Sequence, residues 1–110
     1  MNENIEKIYE LLYSPIITPY NLLENAKLDN YEYVNYYKEE HGLVAEMKCI
    51  MDGTYNKKVF YYHFDSEDKL YQVYTKMNGK KVCIFDRKQE IENEKNKYLV
   101  SKENESSSVI

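Results

Sequence analysis

The two histidines and their acidic neighbours are the residues of this 110-residue chain whose types could support catalysis or metal binding. His63 and Asp65 are separated by one residue, so both side chains would point to the same side of a strand. A third ligand would complete a metal or proton-transfer site, but none lies nearby in the sequence. The run Glu39-Glu40-His41 could form an acid–base cluster, although such a run is typical of a solvated turn. We therefore expect no catalytic residue, no metal ligand and no cofactor.

The two cysteines, Cys49 and Cys83, are far apart in the sequence. A nucleophilic thiol needs a neighbouring base, and no histidine is indicated beside either cysteine. The acidic N-terminal residues do not resemble a secretory signal, and no apolar run approaches transmembrane length. We therefore expect a cytoplasmic protein without a membrane partner, whose two thiols are unbonded and lie on opposite faces of a sheet.

Residues 43–85 predict that sheet, because they contain four alternating runs joined by three short turns. Asn78-Gly79 is the clearest turn, since a type I′ turn needs positive φ at both central residues. It would pair Met77 with Lys80. The segment Tyr31–Lys38 is interpreted as an additional edge strand, although its tyrosines keep no clean alternation and a helix is not excluded.

Alternation along the strands assigns each side chain to one of two sheet faces. The predicted core face comprises Leu43, Ala45, Met47, Cys49, Met51, Val59, Tyr61, His63, Tyr71, Val73, Thr75, Val82 and Ile84, with Val73 opposite Ile84. The predicted aromatic face comprises Phe60, Tyr62, Phe64, Tyr74 and Phe85. A slip of one residue at a turn would exchange the two faces of a strand.

The aromatic face is the first candidate binding surface, and its expected contact residues are Tyr62, Tyr74, Lys48 and Lys76. Tyrosine is enriched where protein interfaces concentrate their binding energy. The competing interpretation is that a helix covers this face and buries both tyrosines. The sequence does not decide which face the helices cover.

Two lysine pairs form the second candidate surface: Lys57-Lys58 and Lys80-Lys81. The first and third turns of an antiparallel meander lie at the same end of the sheet, so both pairs would lie at one rim. A basic rim could bind an acidic partner, but lysine also protects sheet edges against pairing with other chains. Protection of the edge is the more ordinary role.

The predicted fold class is α+β, with helices segregated from an antiparallel sheet of four or five strands. Apolar spacing and capping residues predict two short N-terminal helices over Asn4–Tyr13 and Pro19–Leu28, and a C-terminal helix from Asp86 to about Leu99. We expect residues 1–100 to form a single domain. The polar, serine-rich residues 101–110 are expected to be a flexible, disordered tail.

Composition favours a protein as the partner. The chain has 13 tyrosines and a net charge of −4, and Arg87 is its only arginine, so it lacks the basic, arginine-rich surface of most nucleic-acid modules. The predicted function is a small, non-enzymatic protein-binding module, such as an inhibitor, immunity protein or phage-encoded antagonist from a low-GC bacterial genome. The alternative is a small-ligand or single-stranded nucleic-acid binder that uses the aromatic face. An open sheet edge would also allow a homodimer.

Overall fold

The computed structural model describes the backbone of residues 3–51, 53 and 55–107, and the side chains of these residues up to 103. It confirms the α+β fold class. The elements in chain order are α1 (Glu3–Tyr13), α2 (Pro19–Leu23), a 3₁₀ turn (Glu24–Lys27), β1 (Tyr31–Glu39), β2 (Gly42–Ile50), β3 (Lys57–Phe64), β4 (Leu70–Met77), β5 (Lys80–Asp86) and α3 (Arg87–Ser107). They form two compact units, one of residues 15–86 and one of residues 1–14 with 87–110.

The unit of residues 15–86 contains a five-stranded antiparallel sheet in the order β1-β2-β3-β4-β5. The segment that the sequence left open between helix and strand is therefore the edge strand β1. Asn78 and Gly79 have φ values of 53° and 77°, as a type I′ turn requires. This turn pairs Met77 with Lys80, as predicted.

Two extra residues change the predicted register. Phe64 pairs with Leu70 and His63 with Gln72, so Tyr71 is an additional residue in β4. Tyr74 pairs with Cys83 and Val73 with Phe85, so Ile84 is additional in β5 and does not face Val73. Such bulges shift every side chain beyond them by one position.

The register shifts correct the predicted core face. Ala45, Met47 and Val73 lie on it as expected, but Tyr61, His63 and Val59 lie on the opposite face. Phe60, Tyr62, Phe64 and Phe85 were predicted on the aromatic face and belong to the core face instead, together with Leu70. The prediction for β2 is nevertheless correct. The predicted register is wrong by one residue across both the β2–β3 turn and the β3–β4 turn, and the two errors cancel for β2.

The helices of residues 15–86 pack on this core face. The buried cluster consists of Leu22, Ala45, Met47, Phe64, Leu70 and Val73. Thr18 caps α2: its hydroxyl accepts a hydrogen bond from the Asn21 N–H at 3.3 Å, and the Asn21 side chain accepts one from the Thr18 N–H at 2.9 Å. This reciprocal cap orients α2 so that Leu22 enters the cluster.

The second unit consists of α1 and α3. The Arg87 guanidinium donates to the carbonyl oxygens of Leu11 and Ser14, at the C-terminal end of α1, where carbonyls have no partner within the helix.

The helix α3 extends to Ser107 rather than ending near Leu99, so residues 101–107 of the predicted tail are helical. Residues 108–110 of that tail lie outside the described residues. In the part of the chain that the structure describes, no helix has an apolar stretch long enough to cross a membrane.

Candidate protein-binding face

Four tyrosines, Tyr33, Tyr37, Tyr61 and Tyr74, define the sheet face opposite the buried cluster, which we call the tyrosine face. The register makes Tyr61 and Tyr74 direct cross-strand partners, whereas Tyr33 and Tyr37 lie on the neighbouring edge strand β1. Each of the four is at least partly exposed. The face therefore presents ordered aromatic side chains to solvent.

A stack of rings forms the centre of the tyrosine face. The ring centroids of Tyr61 and Tyr74 are 4.7 Å apart with an interplanar angle of 12°, and those of His63 and Tyr74 are 5.2 Å apart at 26°. Nζ of Lys81 lies 4.3 Å from the centroid of Tyr74, and Nζ of Lys76 lies 5.3 Å from that of Tyr61. Stacking and cation–π attraction hold these side chains in place before any partner arrives.

Lys76 and Lys81 are cross-strand partners, so two like charges lie directly opposite each other. Both side chains are exposed, and among the described residues no carboxylate lies within ion-pair distance of either. Lys81 donates instead to the Gln72 side-chain oxygen at 3.3 Å. Like charges in this position repel each other and cost stability, so this end of the face attracts anionic groups.

On the β1 side of the tyrosine face, the lysines form ion pairs with a carboxylate of the same face. Glu32 pairs with Lys48 at 3.1 Å and with Lys57 at 3.0 Å, and these contacts, chiefly the one to Lys57, lower the pKa of Glu32. The Tyr33 hydroxyl donates to Glu46 at 2.8 Å, which raises the pKa of Tyr33 to about 12. Lys76 and Lys81, on β4 and β5, are thus the lysines of the face that form no ion pair among the described residues.

His63 lies buried in the tyrosine face, with 7% of its surface exposed. Its Nδ1 is 3.6 Å from a Glu39 carboxylate oxygen, and its Nε2 has no hydrogen-bond partner among the described residues. Burial lowers the pKa of His63, Glu39 opposes that effect and Lys81 adds to it. A neutral imidazole therefore forms one end of the ring stack.

The structure separates the residues that were predicted to bind a partner. Tyr74, Lys48, Lys76, Lys57 and Lys81 lie on the tyrosine face, whereas Tyr62, Lys58 and Lys80 lie on the core face. Tyr62 packs against the buried cluster. Tyr62 and Tyr74 therefore cannot form one patch, and the lysine rim is divided between the two faces.

Of the pair His63 and Asp65, the aspartate has a structural role in the turn that follows β3. Asp65 Oδ1 accepts hydrogen bonds from the N–H groups of Glu67 and Lys69 at 2.9 and 3.0 Å, so this carboxylate stabilises the β3–β4 turn. Within the described ranges, no group of three histidine, cysteine or acidic side chains could hold a metal ion. The same turn lies close to Gly42, where a Cβ would come within 2.7 Å of the Asp65 carbonyl oxygen.

The sequence interpretation placed Tyr61 and His63 in the core and so missed them as members of the face. The signal that could have located them is the pair of large apolar residues, Phe64 and Leu70, on either side of the polar β3–β4 turn. Both are buried and pair with each other, which makes Tyr71 an extra residue in β4. Both cysteines are thiols, as predicted, with Cys49 buried on the core face and Cys83 exposed beside Tyr74.

Comparison with known proteins identified no relative of this chain. No protein-family model, no curated protein and no solved structure matches the chain. The function must therefore be inferred from the geometry of the tyrosine face itself.

Proposed function

We propose that this protein is a small, non-enzymatic binding module whose tyrosine face binds an acidic segment of another protein. The observation that carries the proposal is the ordered stack of Tyr61 and Tyr74, flanked by the exposed, cross-strand lysines Lys76 and Lys81. Tyrosines held in this way lose little further side-chain entropy on binding, so more of the contact energy contributes to affinity.

The charge on the face argues for an acidic partner. A carboxylate placed between Lys76 and Lys81 would relieve the repulsion between the two ammonium groups. Charge pairs of this kind accelerate association and exclude basic partners more than they add affinity. We therefore expect the lysines to set the association rate and the tyrosines to set the dissociation rate.

A nucleic-acid partner has less support. Bases bind to sheets by stacking on free aromatic ring faces, but Tyr74 already stacks on both Tyr61 and His63 and contacts Lys81. The chain also has only one arginine, and Arg87 is used to cap α1.

An inhibitor, immunity protein or antagonist of a cytoplasmic bacterial or phage protein is the kind of binder we propose. Pairing of two copies through a sheet edge stays a prediction.

A comparative capture experiment tests the proposal. The baits are the wild type, a Lys76→Glu/Lys81→Glu variant of the face, and a Lys88→Glu/Lys95→Glu variant with the same net charge but altered on exposed positions of α3. Proteins captured from a bacterial lysate are identified by mass spectrometry. A true partner should be retained by the wild type and the α3 variant and lost by the face variant. Identical captured sets for all three baits would contradict the proposal.

A further inference from the structure

A pocket of about 280 Å³ lies on the core face, at the end of the sheet where β2 and β3 are joined. Tyr31, Cys49, Phe60 and Tyr62 line it, together with the polar but uncharged Asn30. No residue that the structure describes along this pocket carries a charge. The pocket is separate from the tyrosine face, because its tyrosines point to the opposite side of the sheet.

The pocket combines aromatic walls with tyrosine hydroxyls that can still donate a hydrogen bond. The Tyr31 hydroxyl accepts a long hydrogen bond of 3.5 Å from the Asn25 amide, which leaves its own proton available. No described residue bonds to the Tyr62 hydroxyl. Burial raises the pKa of Tyr31 and of Tyr62, so both hydroxyls stay protonated at neutral pH.

We propose that this pocket binds a small, neutral, planar aromatic molecule with a hydrogen-bond acceptor in or beside its ring. An apolar cavity of about 150 Å³ holds benzene, so this larger volume suits a fused bicyclic ring. Aromatic walls favour ring–ring contacts, and the described lining offers no counter-ion, so a charged ligand would lose its hydration without compensation. The acceptor would receive the hydrogen bond from the Tyr62 hydroxyl.

Quinoline and naphthalene provide a matched pair of probes, since they share size and shape and differ in the ring nitrogen that accepts a hydrogen bond. Each is titrated into the ¹⁵N-labelled full-length protein while amide chemical shifts are recorded. Quinoline should cause saturable shifts at Tyr31, Cys49 and Tyr62, with a dissociation constant below about 1 mM. Naphthalene, tested up to its solubility limit, should bind the same site more weakly.

Two variants separate hydrogen bonding from simple apolar binding. Tyr62→Phe keeps the aromatic wall and removes the hydroxyl, so the affinity for quinoline should fall about fivefold while that for naphthalene stays the same. Tyr20→Phe removes an exposed hydroxyl from α2, away from both proposed sites, and should change neither affinity. The absence of saturable shifts at the pocket, shifts confined to the tyrosine face, or equal quinoline affinities for wild type and Tyr62→Phe would each overturn the proposal. The first and third outcomes leave the protein-binding proposal intact, because it concerns the other face, whereas shifts confined to the tyrosine face would point to small-ligand binding there.

Discussion

At the scale of single residues, His63 is the least ordinary feature of the sheet. Its imidazole is buried between β2 and β4, faces Glu39 of β1 and Lys81 of β5, and contacts the rings of Tyr71 and Tyr74. Burial makes the charged form costly, and Lys81 increases this cost. The folded protein therefore binds a proton at His63 less readily than the unfolded chain does.

This difference predicts a loss of stability in mild acid. Because the pKa of His63 is lowered in the folded state, its contribution to stability is present above the unfolded value of about 6.5 and is lost as the pH falls below it. Urea unfolding between about pH 7.5 and 5 should show a falling free energy of unfolding for the wild type. His63→Gln should remove much of this slope, whereas His41→Gln at an exposed position should keep it. Equal slopes for wild type and His63→Gln would contradict the prediction.

Tyr62 and Tyr74 should differ in their contribution to stability, because they lie on opposite faces. Tyr62 packs against the buried cluster, so Tyr62→Ala should lower the free energy of unfolding by about 2–3 kcal/mol. Tyr74 contributes stacking and a cation–π contact, so Tyr74→Ala should cost about 1 kcal/mol. Chemical denaturation of the two variants measures this difference. Losses in the reverse order would mean that the assignment of faces is wrong.

At the scale of elements, the connection that precedes α2 contains a strained residue. Ile16 has a φ of 67°, and the N–H of Ile17 donates to the Pro15 carbonyl at 2.8 Å, which closes a γ-turn around Ile16. A β-branched residue is disfavoured in this region by about 1–2 kcal/mol, whereas glycine adopts it freely.

Ile16→Gly should therefore raise the free energy of unfolding by about 0.5–1 kcal/mol, since the Ile16 side chain is 43% exposed and does not pack against the buried cluster. Ile17→Gly is the control: this neighbour packs against the buried cluster, so the same substitution there should destabilise the protein. Thermal unfolding of both variants provides the measurement. A lower midpoint for Ile16→Gly would show that the side chain contributes more through packing than its backbone conformation costs.

At the scale of the whole molecule, the buried cluster lies entirely within residues 15–86, whereas α1 contributes no buried residue. The fragment 15–86 should therefore keep the sheet and unfold cooperatively, because it retains all of the main core. Amide dispersion in NMR spectra and a denaturant titration of the fragment, compared with the full chain, test this. An unfolded fragment would instead support the prediction that residues 1–100 form one interdependent domain.

The sequence alone was sufficient to predict the strands β2 to β5, because their signals are local, whereas β1 stayed open between strand and helix because its tyrosines keep no clean alternation. Asn78-Gly79 specifies its turn through backbone conformation, Thr18 specifies the start of α2 through its cap, and the alternating runs specify the strands. The α+β class followed from the order of these elements. None of these inferences requires knowledge of distant contacts.

Which side chains share a face was decided only by the tertiary structure. Strict alternation would have placed Phe64, Leu70 and Phe85 opposite the core, and burying such a side chain contributes roughly 1.5–3 kcal/mol. That gain outweighs the disturbed pairing at Tyr71 and Ile84, so the strands accept an extra residue at each position. The same shifts turn Tyr61 and His63 toward Tyr74. The candidate binding face is thus a consequence of packing on the other side of the sheet, and for that reason it could not be read from local pattern.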